Sequence, residues 1–396
     1  MSKKLFYNAK VVMPDKVSVG FLTVADGKIE KICEGKLPDA FLQNYEEAID
    51  CGGKYLAPGF IDIHTHGAGG YDFADNTEEA IIGACREHMK HGTTSICPTT
   101  MTCPNDELFR FFEVYRRVKS AWKDGINLLG VHLEGPFFSA AQAGAQPPEY
   151  LQLPTPENYK PILDAGGEDI IRMSVAVELR GAMELGDELR KRGILAAIGH
   201  SDADYDQVKE AIQHGYMHVT HLYSGMSALH RVGPYRVLGV VESSYLFDEL
   251  TVEIIADGKH LPLELLKMIV KCKDNEKISL ITDSMRGAGF PDGQTAKLGS
   301  LTNGQDAIIR DGVAMMPDFK AFAGSVCTTD RCVRTMVHLA GLPVEKAVRM
   351  MTLNPAKLVG VHERKGSLEK GKDADLVLFD ENINVSDVFI GGRKIA

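Results

Sequence analysis

The stretch PGFIDIHTHG, residues 58–67, is the one from which the fold can be read. Its centre, Phe60-Ile61-Asp62-Ile63, is a short apolar run preceded by the chain-breaking pair Pro58-Gly59, which predicts a buried strand. The run ends on His64-Thr65-His66, so polar residues sit at the tip of an otherwise apolar element. Seven further runs repeat that grammar: TSICPT from Thr94, LLGVHLEG from Leu128, IRMSVAV from Ile171, ILAAIGHS from Ile194, HVTHLY from His218, VEIIAD from Val252 and ISLITDS from Ile278. The seven intervals span 218 residues, about 31 each, the length of a strand plus a crossover helix. Amphipathic helical patterns lie between them: TEEAIIGACREHMKH, PNDELFRFFEVYRRVKSAWK, DADYDQVKEAIQH and PLELLKMIVKCK. Runs that are mostly continuously apolar fit strands buried on both faces.

Eight alternations predict an α/β fold of the (β/α)₈ TIM-barrel type. The competing arrangement is an open doubly wound sheet. Polar residues close nearly every run (His64 and His66, Thr99, Glu134, His200, His221, Asp257, Asp283), and strand ends converge on one point only in a barrel. The flanks read differently. Residues 1–57 hold short β-like runs around an Asp-Gly turn, and 357–396 hold KGSLEKGKDADLVLFD and DVFIGGRKI, again β-hairpin patterns. The expected organisation is a catalytic barrel over 58–356 with a small β-sandwich domain built from both termini, 1–57 plus 357–396. Pro58-Gly59 marks the junction, and Asn354-Pro355 is expected to end the last barrel-side helix.

Composition excludes several classes. The 396 residues are 44% hydrophobic and 25% charged, close to a globular average. The net charge of −10, from 54 acidic and 44 basic residues, leaves no basic footprint for nucleic acid or an anionic membrane. The eight cysteines form no CxxC pair and read as free thiols in a reducing compartment. The start has no apolar signal region and no segment has the length of a membrane span, so the expected location is cytoplasmic.

The chemistry gathers at the strand ends. His64 and His66, two apart on a strand, point to the same side and can hold one ion together; a pair of surface histidines is the competing reading. Glu134 closes VHLEGP, too apolar a run to hold an ionised carboxylate without a cation or several donors nearby; a salt bridge is the alternative. His200 and His221 each end an apolar strand. Either alone reads as a buried core histidine, but together with Glu134 they form an N/O donor set suited to Zn or Fe and less to Mg or Ca. Asp283 can exchange a proton with a water activated by an ion, or it can cap a helix, and the residue alone leaves both open.

In order along the chain, PGFIDIHTHG, HLEGPF, IGHSDA, THLYSGM, EIIADGKH, LITDSMRGAG, FAGS and NPAKLVG followed by KGSLEKGKDADLVLFD resemble the amidohydrolase superfamily over essentially the whole length. HLEGPF, IGHSDA, the HLY motif and ADGKH are the more specific matches, and they point to its branch of hydrolases that remove an N-acetyl group from a phosphorylated amino sugar in amino-sugar catabolism. The resemblance implies that Glu134, His200 and His221 bind the catalytic ion and that Asp283 is general base and acid. It implies one or two divalent ions per chain, since some relatives lack the H-x-H pair and others use it for a second ion. It implies a homodimer and hydrolysis of N-acetylglucosamine 6-phosphate. N-acetylgalactosamine 6-phosphate or another amide remains an alternative, and a non-catalytic scaffold is a further one that intact ligand positions disfavour.

Substrate contacts carried over in the same way are His260 with Asp257 and Gly258 shaping its loop, Ser224 and Gly225 after HLY, and Phe322-Ala323-Gly324 over the acetyl group. Arg231 or Arg236, in RVGPYRVLG, is the expected phosphate arginine, because a planar guanidinium grips phosphate at two oxygens. A solvated loop cation is the other reading of either. Ala145-Gln146 is the main departure: relatives carry a His at Gln146 that helps polarise the amide carbonyl. A glutamine amide donates a hydrogen bond there but carries no charge.

Overall fold

In the computed structural model, which describes residues 3–123 and 125–396, all eight expected strands are present. They are β1 (Phe60–Thr65), β2 (Thr93–Thr100), β3 (Val131–Glu134), β4 (Ile170–Val175), β5 (Leu195–Ile198), β6 (Tyr216–Val219), β7 (Thr251–Ile255) and β8 (Ile278–Ile281). Consecutive strands pair in parallel from β1 to β8. The ring then nearly closes, for β8 is tied back to β1 by Thr282 Oγ1 donating to Asp62 Oδ2 (2.6 Å) and Asp283 N donating to His64 O (2.9 Å).

The crossover helices follow the apolar periodicity. Glu78–Lys90 starts where Thr77 Oγ1 accepts from Ala80 N, and it buries Ile81, Ala84, Cys85 and Met89 against the barrel. Tyr205–Gln213 starts on a capping box between Asp204 and Gln207. Most of the buried apolar side chains form one core shared by the strands and their helices.

The barrel interior is not purely apolar. His132 on β3, Arg172 on β4, His218 on β6 and Glu253 on β7 are fully buried there: Glu253 pairs with Arg172 and His218, and His132 Nε2 lies 2.8 Å from Ser174 Oγ.

Strands from both termini share one sheet in the order Arg393–Lys394, Val385–Ile390, Leu376–Phe379, Tyr55–Pro58, Lys3–Val12, Val17–Ala25, Lys28–Glu34, with Glu47–Asp50 also pairing with Lys3–Val12. The antiparallel pairing of Leu376–Phe379 with Tyr55–Pro58 joins the N-terminal strands to the C-terminal ones directly before the barrel begins. Ile29 N bonds Lys372 O, so the sheet rolls over its own core, which includes Phe6, Leu22, Leu56, Leu376 and Phe389.

Two features depart from the sequence reading. Asn354-Pro355 does not end a helix. Val344–Met351 stops at Thr352, and a new helix, Leu353–Leu358, takes Pro355 in its first turn, where a missing N–H costs nothing. Beyond β8 an additional antiparallel sheet, Thr295–Leu298, Gln305–Arg310 and Val313–Met315, stands beside the strand ends on its own small core.

Candidate metal centre and substrate cavity

The polar strand ends meet in an open cavity of about 730 Å³ at the C-terminal face of the barrel. His66, Glu134, Ala145, Gln146, His200, His221, Ser224, Gly225, His260, Asp283, Phe322 and Gly324 all line it. Asp257 and Ala323 lie behind that lining, both buried. Arg231 and Arg236 do not line it. They stand opposite each other on an exposed hairpin, His230–Val232 with Tyr235–Val237.

Glu134 is the centre of the site. Its Oε1 lies 3.3 Å from His64 Nε2, 3.3 Å from His200 Nε2 and 3.0 Å from His221 Nε2, and its Oε2 lies 3.2 Å from His66 Nε2. Two ligand groups therefore share one carboxylate, His64–His66–Glu134 and Glu134–His200–His221. Asp283 Oδ1 is 3.3 Å from both His64 Nε2 and His66 Nε2.

The donor set suits a cation. His64 Nε2 is fully buried and makes no hydrogen bond, although it lies between two carboxylate oxygens. His200 Nδ1 faces the carbonyl of Gln142 at 2.8 Å, which can fix the tautomer that turns the Nε2 lone pair toward the site. Burial opposes charge on Glu134, yet the His64 charge and the hydrogen bonds with His200 and His221 hold its carboxyl well below the usual range. Burial likewise opposes charge on Asp283, and His64 and a hydrogen bond with His66 bring it below the ordinary value.

The backbone at these strand ends is unusual. His200, His221 and Asp283 have φ values of 47°, 27° and 46°, left-handed conformations that cost free energy for residues with a side chain and that cluster at functional sites. Asp283 precedes no helix, since the next described one is Thr329–Arg334, which removes the helix-cap reading. Gly225 (φ +55°) packs so closely that a Cβ there would lie 2.9 Å from His200 Nδ1.

Around this centre, Asp257 Oδ2 accepts from His260 Nδ1 at 2.8 Å, and Asp257 Oδ1 accepts from the amides of Lys259 and His260. His260 is thereby fixed against the Phe322 ring, with centroids 4.6 Å apart. Gln146 is engaged already: its Nε2 donates to Glu134 Oε2 at 2.8 Å and its Oε1 accepts from Thr102 N at 2.9 Å. That geometry supports a ligand carboxylate more directly than a substrate carbonyl. The sequence reading also passes over Gln142 and Glu253. For Glu253 the signal was present, a carboxylate inside an apolar run, the same feature that marked Glu134.

Residues 55–395 match the model of the amidohydrolase family. The chain belongs to that family. An N-acetylglucosamine-6-phosphate deacetylase from Danio rerio is 32% identical over 98% of this chain and 96% of its own length. The enzyme of the same name from Lysinibacillus sphaericus is 34% identical over 93% of this chain and 91% of its own. Among solved structures, N-acetylglucosamine-6-phosphate deacetylase from Pasteurella multocida superposes with a TM-score of 0.89 at 29% identity, covering both chains completely. Amidohydrolases are metal-dependent, and the two Glu134-centred groups are where this member can hold an ion.

Proposed function

We propose that this amidohydrolase removes the acetyl group from N-acetylglucosamine 6-phosphate, giving glucosamine 6-phosphate and acetate. The observation that carries the reading is Glu134 shared between two imidazole pairs with Asp283 beside it, in a chain aligned end to end with deacetylases of that substrate. Glu134, His200 and His221 would hold one divalent cation, Zn or Fe, and His64 and His66 with Glu134 a second. Such an ion, when bound, polarises the amide carbonyl and lowers the pKa of water.

The residues supply the rest. Asp283, lowered toward its ionised form, takes the proton of the attacking water and returns it to the departing nitrogen. His260, oriented by Asp257, is the side-chain donor left facing the amide or the sugar, because Gln146 is held by Glu134 and Thr102. Phe322 and Gly324 bound the acetyl end, with Ala323 packed behind them. Ser224 and Gly225 offer donors at the mouth for the phosphate, and Arg231 or Arg236 adds a cation from the hairpin.

We further propose a homodimer, for which that hairpin offers exposed Leu229, Val232 and Tyr235 as contact surface. The terminal sheet is proposed to be a unit of its own, 1–57 with 357–396. A cytoplasmic location is supported by eight free cysteines and by the absence, among the described residues, of any helix long and apolar enough to cross a membrane.

The test is acetate release from a panel of N-acetylhexosamines with and without 6-phosphate. Fast release from N-acetylglucosamine 6-phosphate is expected. A faster reaction with the galacto epimer would reassign the substrate, and no release from any member would leave the scaffold reading.

A further inference from the structure

Glu253 is outside the cavity lining, yet it bonds to two of the histidines that form the site. It is fully buried on β7. Its two oxygens have separate partners. Oε2 faces the interior, 2.5 Å from Arg172 Nη1 and 3.2 Å from His218 Nε2. Oε1 faces the site, 2.7 Å from His64 Nδ1 and 3.2 Å from the amide of His221, which donates to it.

The consequence follows from the two nitrogens of one ring. A histidine whose Nδ1–H is held by a carboxylate presents a more basic Nε2 in one fixed direction, and here Nε2 points between Glu134 and Asp283 with no hydrogen bond of its own. His66 has no such partner, for its Nδ1 is buried and unpaired. Of the pair, His64 alone is therefore pre-oriented, and its orientation depends on Glu253.

We propose that Glu253 is a positioning residue that aims His64 at an ion held by His64, His66 and Glu134, with Arg172 compensating its charge. This rests on the reading above that the H-x-H pair holds a second ion.

A simple loss of Glu253 would strand the buried charge of Arg172, so the test removes both members: Glu253→Met with Arg172→Met keeps the space filled without leaving a lone charge. Stepwise Zn²⁺ affinities of metal-free protein are measured by competition with a chelating dye. Exchange coupling in the Mn²⁺-loaded protein is read by electron paramagnetic resonance. The parent is expected to take two ions with coupled spins. In the double variant the ion at His64 and His66 should bind 10- to 100-fold more weakly, the usual effect of losing such a partner, and the coupling should vanish, while the other ion, whose ligand His221 loses only a backbone hydrogen bond, is weakened less.

Arg172→Met alone should keep both ions, because the acceptor for His64 remains. Glu253→Asp keeps the charge beside Arg172 and withdraws the acceptor by one methylene. It should weaken the same ion selectively even if the double variant does not fold. Two ions held unchanged in both Glu253 variants, or both ions weakened equally, would overturn the proposal. A parent that takes only one ion would instead sink the two-ion reading on which it stands, a failure visible before any variant is made.

Discussion

Charge inside an apolar run was the legible signal at the scale of the single residue. Glu134, His200, His221 and Asp283 could be picked out because a titratable group at the end of a buried strand needs a partner, and the structure gathers all four. The same logic applies to Glu253, which lies two residues inside its strand rather than at the tip. Roles that depend on which atom of a side chain faces which neighbour were not legible: Gln146 reads as a carbonyl donor in sequence and holds Glu134 in space. Two predictions belong here. Asp283→Asn keeps the shape and removes the base. Turnover should fall roughly 10²- to 10⁴-fold while substrate binding and thermal stability change little, measured by steady-state kinetics beside calorimetry. Near-normal turnover would take the proton transfer away from Asp283. Gly225→Ala should displace His200, because its Cβ would press on His200 Nδ1 and on the carbonyl that orients it, in a backbone conformation alanine resists. Metal content of the purified variant should drop below that of the parent. An unchanged content would show that the loop relaxes around the added methyl.

For secondary-structure elements, the periodicity was enough for the eight strands and for the helices between them, since burial on two faces and amphipathicity are both written locally. It failed where pairing is not local. Residues 295–315 lie outside the eight alternating runs and carry no strand expectation, yet they pair into a three-stranded sheet. That sheet carries Leu298 to the cavity and shares its core with Met285 and Ala323 from the loops that follow Asp283 and Phe322. It should act as a wall for the substrate rather than as part of the metal centre. Ile309 is fully buried in that small core. Ile309→Ala removes three carbons with little prospect of collapse and costs about 2–5 kcal/mol, concentrated in this element. The expected result is a raised KM with metal content intact, together with faster local hydrogen exchange over 295–315. Loss of bound metal in this variant would show that the sheet and the ligand strands unfold as one unit.

The charge of the whole molecule sets the final problem, because a protein of net charge −10 is expected to prefer a dianionic sugar phosphate. Long-range attraction cannot supply that preference, so local groups must, and two sets compete. Ser224, Gly225 and His260 line the cavity itself. Arg231 and Arg236 stand exposed on the hairpin outside it. The sets differ in how salt reaches them. An exposed guanidinium pairing with phosphate is screened over about 8–10 Å at ordinary ionic strength, whereas donors within a cavity are screened far less. A charge-assisted contact contributes roughly 1.5–3 kcal/mol, about one to two decades in kcat/KM. The parent should therefore prefer N-acetylglucosamine 6-phosphate over the unphosphorylated sugar by at least one decade. If the hairpin carries that preference, it should shrink several-fold between low and high salt, and either Arg231→Ala or Arg236→Ala should reduce it while leaving the rate with the unphosphorylated sugar alone. If the cavity carries it, salt and both arginine variants should leave the ratio standing, and the arginines are then solvated loop cations. Equal rates for the two sugars in the parent would remove the phosphate from the recognition altogether and leave the amide as the only group the site selects.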